Sequence, residues 1–182
     1  MDISIAVIPR AFLYVFWNLR VTNSCQSTQF STEQSTQWAR ATLPEYLEFL
    51  AIPNDASIAQ DIQHNADWLQ NAFTRRGLHV QQLPNQGKPM LYAQWPTLSP
   101  HASTVLFYMH LDGQPVVPSE WSQPNPWVPV VKAKDAQGNW SIVPTARLFA
   151  SPIDAELRVF GRSSSDDKAP IMMLLAALDG LR

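Results

Sequence analysis

Eleven consecutive residues, Val105-Leu106-Phe107-Tyr108-Met109-His110-Leu111-Asp112-Gly113-Gln114-Pro115, constrain this chain more than any others. They open as an unbroken apolar run, which suits a strand buried on both faces of a parallel sheet. The run stops at His110 and Asp112, and Gly113 and Pro115 then punctuate a loop. An imidazole and a carboxylate therefore stand at the carboxyl end of a central strand, where open α/β sheets place their ligands. Residues two apart on an extended backbone project to the same side. The Asp112 carboxylate can then hold the ring of a metal-ligating His110, fixing its tautomer and raising its basicity.

A second stretch repeats the arrangement. Leu157 to Phe160 reads as a short strand, and the apolar residues Ile171 to Leu178 read as a helix with Pro170 in its first turn. Between them, Asp166 and Asp167 lie in a strand-to-helix loop, another usual place for a ligand. The chain has a single cysteine, Cys25, which rules out an internal disulfide framework and a Cys-rich zinc site. Any metal must therefore use His and carboxylates, which these two stretches supply. Alone, His110 would read as a hydrogen-bonded structural histidine; Asp112 and the Asp166-Asp167 loop favour a ligand.

Three segments in order, Met109-His110-Leu111-Asp112-Gly113-Gln114-Pro115, Glu120-Trp121-Ser122-Gln123-Pro124-Asn125-Pro126-Trp127 and Gly161-Arg162-Ser163-Ser164-Ser165-Asp166-Asp167-Lys168-Ala169, resemble the two-zinc exopeptidases and amidohydrolases of the carnosinase, aminoacylase, glutamate carboxypeptidase and succinyl-diaminopimelate desuccinylase type. The resemblance runs from about Leu43 to the end. Met109, Ser163 and Ala169 stand where that family has glycine. The resemblance implies the opening portion of a three-layer α/β/α catalytic domain with a mixed, largely parallel sheet. It implies His110 as a ligand of one zinc, Asp166 as the carboxylate bridging two zincs, Asp112 as the catalytic-site partner orienting His110, and a cis Asp166–Asp167 peptide. Co2+ or Mn2+ are alternative ions. The implied activity is metal-dependent hydrolysis of peptide or amide bonds, dipeptidase- or carboxypeptidase-like, on a small peptide or N-acyl amino acid. The family's general base (one of a Glu-Glu pair), its remaining ligands and its dimerisation domain would follow Arg182. The expectation is thus an inactive N-terminal fragment, with homodimerisation confined to a full-length parent. The alternative is a non-catalytic binding module that keeps the fold's opening without its chemistry.

The rest of the chain is read from pattern. Residues 1–37 form an N-terminal segment and linker, and residues 38–182 the partial catalytic domain. Met1 to Trp17 is apolar, but Pro9 and Arg10 interrupt it, so it falls short of the about 20 apolar residues of a membrane span. It reads first as a loosely ordered or misassigned start, with a degenerate export signal as the alternative, and Thr22 to Cys25 only faintly resembles a lipoprotein cleavage site. The location is therefore left between cytoplasm and bacterial periplasm. Ser24 to Gln37, rich in Ser, Thr and Gln, reads as a linker. Helices are expected over Leu43–Leu50, with Pro44 near the start, and over about Ser57–Arg76, with Ile58, Ile62, Ala66, Leu69 and Phe73 on one face and Gly77 as the stop. Leu78–Leu83 and Met90–Trp95 read as a hairpin, Val128–Val131 as a short edge strand, Trp140–Val143 as a strand, and about Pro170–Leu181 as the last helix.

A net charge of −2 gives no reason to expect nucleic acid as a partner. Asp167 is expected to cap the last helix, and Lys168 and Arg162 to be surface or ion-paired residues. His64 should face solvent, His79 and His101 are read as structural, and Cys25 as an incidental thiol. Trp121 and Trp127 are expected to pin the loop after Asp112. A truncated sheet would leave Ile171, Met172 and Leu175 exposed.

Overall fold

The computed structural model describes residues 3–7, 13–17, 31–96, 104–152 and 154–181. The faint cleavage-site resemblance at Thr22–Cys25, Cys25 itself and His101 lie outside them. Among the described residues, eight strands and three α-helices follow in the order β1 (Ile3–Val7), β2 (Leu13–Trp17), α1 (Thr32–Leu50), α2 (Ala59–Arg75), β3 (His79–Leu83), β4 (Met90–Gln94), β5 (Val105–Met109), β6 (Val130–Lys134), β7 (Trp140–Val143), β8 (Arg158–Phe160) and α3 (Lys168–Gly180). The chain is a mixed α/β structure, as the sequence predicts.

α2 follows its apolar spacing closely. Ile62, Ala66, Leu69 and Phe73 are fully buried, the inward stripe of a helix packed on a sheet. Gly77 ends it in a left-handed conformation, φ 83°, which costs glycine little. Ile58 is the exception. It stands at the N-cap and is exposed, because the stripe starts only once the helix is under way. α1 is much longer than predicted and takes in the last part of the supposed linker, Thr32 to Gln37. Ser31 caps it: its hydroxyl accepts from the Gln34 N–H at 3.1 Å, and the Gln34 side chain accepts from the Ser31 N–H at 2.9 Å. That reciprocal pair satisfies two free donors at the helix start. Pro44 therefore lies inside the helix rather than at its beginning.

The larger sheet has the order β3-β4-β2-β1-β5, and a smaller one the order β7-β6-β8. The largely parallel sheet expected from the sequence is not what forms. β1–β2, β1–β4, β3–β4 and both ladders of the small sheet are antiparallel; only β1–β5 and β2–β4 are parallel. A short connection decides the β3–β4 pairing. The β3–β4 link turns through Gln86 and Gly87 at φ 45° and 81°, and a link that short can only return antiparallel, because parallel neighbours need a crossover of a dozen residues or more. Nor is β5 buried on both faces. It lies at the sheet's edge, and Leu106 and Tyr108 are each 38% exposed while Phe107 and Met109 pack on the core. β6, expected as an edge strand, is central in its sheet because Pro129 precedes the ladder rather than interrupting it. β1 and β2 fall in the stretch read as a possible export signal.

The main core joins α1, α2, β4 and α3 through Phe49, Leu69, Phe73, Leu91, Leu111 and Leu178. Phe49 stacks on Trp68 with ring centroids 4.3 Å apart. Ile171, Met172 and Leu175, expected to be exposed, are buried, because α3 packs against α1 and the same core. No second helical layer is found among the described residues. No helix there is long and apolar enough to cross a membrane. An apolar groove of about 590 Å³ runs between α1 and α3, lined by Trp38, Leu43, Tyr46, Met172, Met173 and Leu181 among others.

Candidate metal centre

β5 delivers His110 to its carboxyl end, and the loop between β8 and α3 delivers Asp166 to the same place. His110 Nε2 lies 2.8 Å from Asp166 Oδ1. On the other side of the ring, Nδ1 lies 3.0 Å from the Asp112 carbonyl oxygen and 3.4 Å from its Oδ1. Acceptors on both sides favour a proton on each ring nitrogen, Nδ1 toward Asp112 and Nε2 toward Asp166, and coordination through Nε2 would require the Nε2 proton to leave. The spacing of two between His110 and Asp112 thus puts the acid where the sequence predicts, with the backbone carbonyl as a closer partner that pattern could not show.

The electrostatics follow from this geometry. The His110 ring is pushed up to about 9, first by the Asp112 carboxylate, with further help from the Asp112 carbonyl, Asp166 and the charge of Asp167, and against the burial that opposes it. Asp167 is held above the usual carboxylate range by burial, partly offset by the His110 N–H and ring and reinforced by the charge of Asp166. The Asp166–Asp167 peptide is cis, as expected. Asp167 stands at the N-cap of α3, but its side chain does not cap the helix. Its Oδ2 accepts instead from the His110 backbone N–H at 3.0 Å. The cap expected from the sequence is therefore a bond between the two motif loops.

Lys168 corrects another expectation. It is not a surface residue but fully buried, and burial depresses its amine well below the ordinary lysine range. Its Nζ donates to Phe49 O at 2.7 Å and Ile52 O at 2.6 Å, satisfying carbonyls at the end of α1. Arg162 is half-buried; its Nε donates to Gln114 O at 2.9 Å and its N–H to Pro126 O at 2.8 Å. Gln123, which no pattern signalled, is buried and donates to Asn125 O at 3.1 Å and Val128 O at 3.0 Å. It organises the loop that Trp121 and Trp127, both half-buried, were expected to pin. His64 and His79 are exposed.

The atoms able to face one cation are thus His110 Nε2 and the Asp166 carboxylate. Among the described residues no group of three or more His, Cys, Asp or Glu side chains could hold a metal ion; Asp112 faces the far side of the ring. No family model, no curated protein and no solved structure matches the chain.

Proposed function

We propose that this chain carries part of the metal centre of a zinc-dependent hydrolase of peptide or amide bonds, dipeptidase- or carboxypeptidase-like, acting on a small peptide or N-acyl amino acid. The observation that supports it best is the meeting of His110 and Asp166, 56 positions apart, with Asp112 behind the ring. The residues present fit two zinc donors. Ligands on one tetrahedral zinc, with bonds of about 2.0–2.2 Å, stand about 3.3 Å apart, so the 2.8 Å pair must open by about half an ångström. Asp166, whose side chain is 83% exposed, is free to move that far. Two zinc ions, or Co2+ or Mn2+ in their place, would polarise the scissile carbonyl and lower the pKa of bound water. His110 would coordinate through Nε2, Asp112 would keep the proton on Nδ1, and Asp166 would bridge. On this reading the other ligands, the general base and any homodimer contact are not among the residues of the two motifs, and the present fold is part of a three-layer domain.

Zinc titration of the purified chain tests the centre. Binding weakened at least tenfold by His110→Ala and by Asp166→Asn is expected; binding that neither change alters would overturn the proposal. The alternative is a binding module that keeps the fold without its chemistry. It would be supported if a longer protein carrying this chain bound zinc but failed to hydrolyse dipeptides and N-acyl amino acids.

A further inference from the structure

The segment Ile52-Pro53-Asn54-Asp55-Ala56, between α1 and α2, carries no residue that the sequence motifs mark, yet it bonds to both motif loops. The centre of it is Asn54, fully buried. Its Nδ2 donates to Leu111 O at 2.6 Å and to Ser163 Oγ at 3.0 Å, and its Oδ1 accepts from Ser163 Oγ at 3.2 Å. Its backbone carbonyl accepts from the Gly113 N–H at 2.7 Å, and the Ala56 N–H donates to Gly113 O at 2.8 Å. The segment is itself fastened from below, by Asn65 Nδ2 on Pro53 O at 2.6 Å and by Lys168 Nζ on Ile52 O.

A buried amide is costly unless its groups are paired. Here the pairs go to Leu111, which separates His110 from Asp112, to Gly113, which follows Asp112, and to Ser163, three residues before Asp166. Ser163 has φ 61°, a left-handed conformation that non-glycine residues seldom adopt. It stands where the resembled family has glycine, and its hydroxyl is held on both sides by Asn54. The space is fully used: a Cβ on Gly113 would lie 2.7 Å from Ser163 Oγ and 2.9 Å from Asn54 Oδ1.

We infer that Asn54 is a positioning residue: by fastening Leu111, Gly113 and Ser163 to one buried amide, it sets the separation of His110 from Asp166. Its functional meaning rests on the metal-hydrolase reading, but the geometry can be tested without metal. The experiment records the His110 ring 15N signals of the metal-free chain at one pH, and the zinc affinity by competition with a chromophoric chelator. The variants are Asn54→Ala, Ser163→Ala and, as a control for stability alone, Ile62→Val in α2. Asn54→Ala is expected to shift the His110 ring signals and weaken zinc about 10–100-fold, the usual loss when a partner of a metal ligand is removed. Ser163→Ala should do the same to a smaller degree, and Ile62→Val should lower the melting temperature and move neither readout. If Asn54→Ala fails to fold, Ser163→Ala decides by the same criteria. Unchanged ring signals in a folded variant, or equal shifts in Ile62→Val, overturn the inference. Should the wild-type chain bind no zinc, the hydrolase reading falls, and the ring signals alone uphold or overturn the role of Asn54.

Discussion

Gly113 shows how little room the centre has. An added methyl would meet Ser163 Oγ, Asn54 Oδ1 and Arg162 Nη2 at 2.7, 2.9 and 3.0 Å, so Gly113→Ala should destabilise by about 1–3 kcal/mol, the usual cost of overpacking. Urea unfolding of the variant checks this, and a loss under about 0.5 kcal/mol, typical of surface changes, would show that the loops yield freely. His110 makes a separate prediction. Its folded pKa, about 9, stands above the ordinary 6.5. The stability it contributes is therefore complete below about pH 6.5 and lost as pH rises through about 9. The full shift would suggest more, but Asp166 is well solvated, so a contribution of about 1–2 kcal/mol is expected. Comparing wild type with His110→Gln from pH 6 to 10 isolates it from the buried Lys168, and the gap between the two curves should close toward pH 10.

The helices are joined by one buried guanidinium. Arg76, at the end of α2, reaches Glu45 of α1 and Asp179 of α3, each at 2.7 Å, and donates to Leu175 O at 3.3 Å. Arg76→Met keeps the stem and removes the three-way link. A loss of about 2–3 kcal/mol is expected, below that of a fully buried pair because both carboxylates keep some solvent. Denaturant unfolding measures it, and a neutral result would mean that packing alone holds the three helices. The two faces of α3 should also differ. Leu175 is fully buried and Met173 is 71% exposed, so Leu175→Ala should cost about 2–5 kcal/mol and Met173→Ser less than about 0.5 kcal/mol. Equal losses would mean that α3 is not seated as described.

For the molecule as a whole, the proposed centre would separate binding from turnover. On that reading His110 and Asp166 would give two donors, whereas a catalytic zinc usually has three protein ligands and a water. The isolated chain is therefore expected to bind zinc weakly and not to hydrolyse dipeptides. An assay with added zinc checks this; turnover abolished by His110→Ala would show that the 182 residues suffice for catalysis.

Local pattern was enough for the elements whose partners are near in sequence. The stripe of α2, the stop at Gly77, the β3–β4 hairpin and the strand ending at His110 were all legible, because each is set by periodicity, a turn residue or a short link. The convergence of His110 with Asp166 was legible through two motifs, not through periodicity. Beyond that hairpin, the direction and order of the strands were not legible. Whether β5 is central or an edge depends on where β1 and β2 pair, and those ladders join residues about a hundred positions apart. Lys168, Asp167 and Asn54 were misread or passed over for the same reason. A charged or amide side chain reads as surface or loop until a distant backbone supplies its partners, and only the fold brought Phe49, Ile52, His110 and Leu111 within reach.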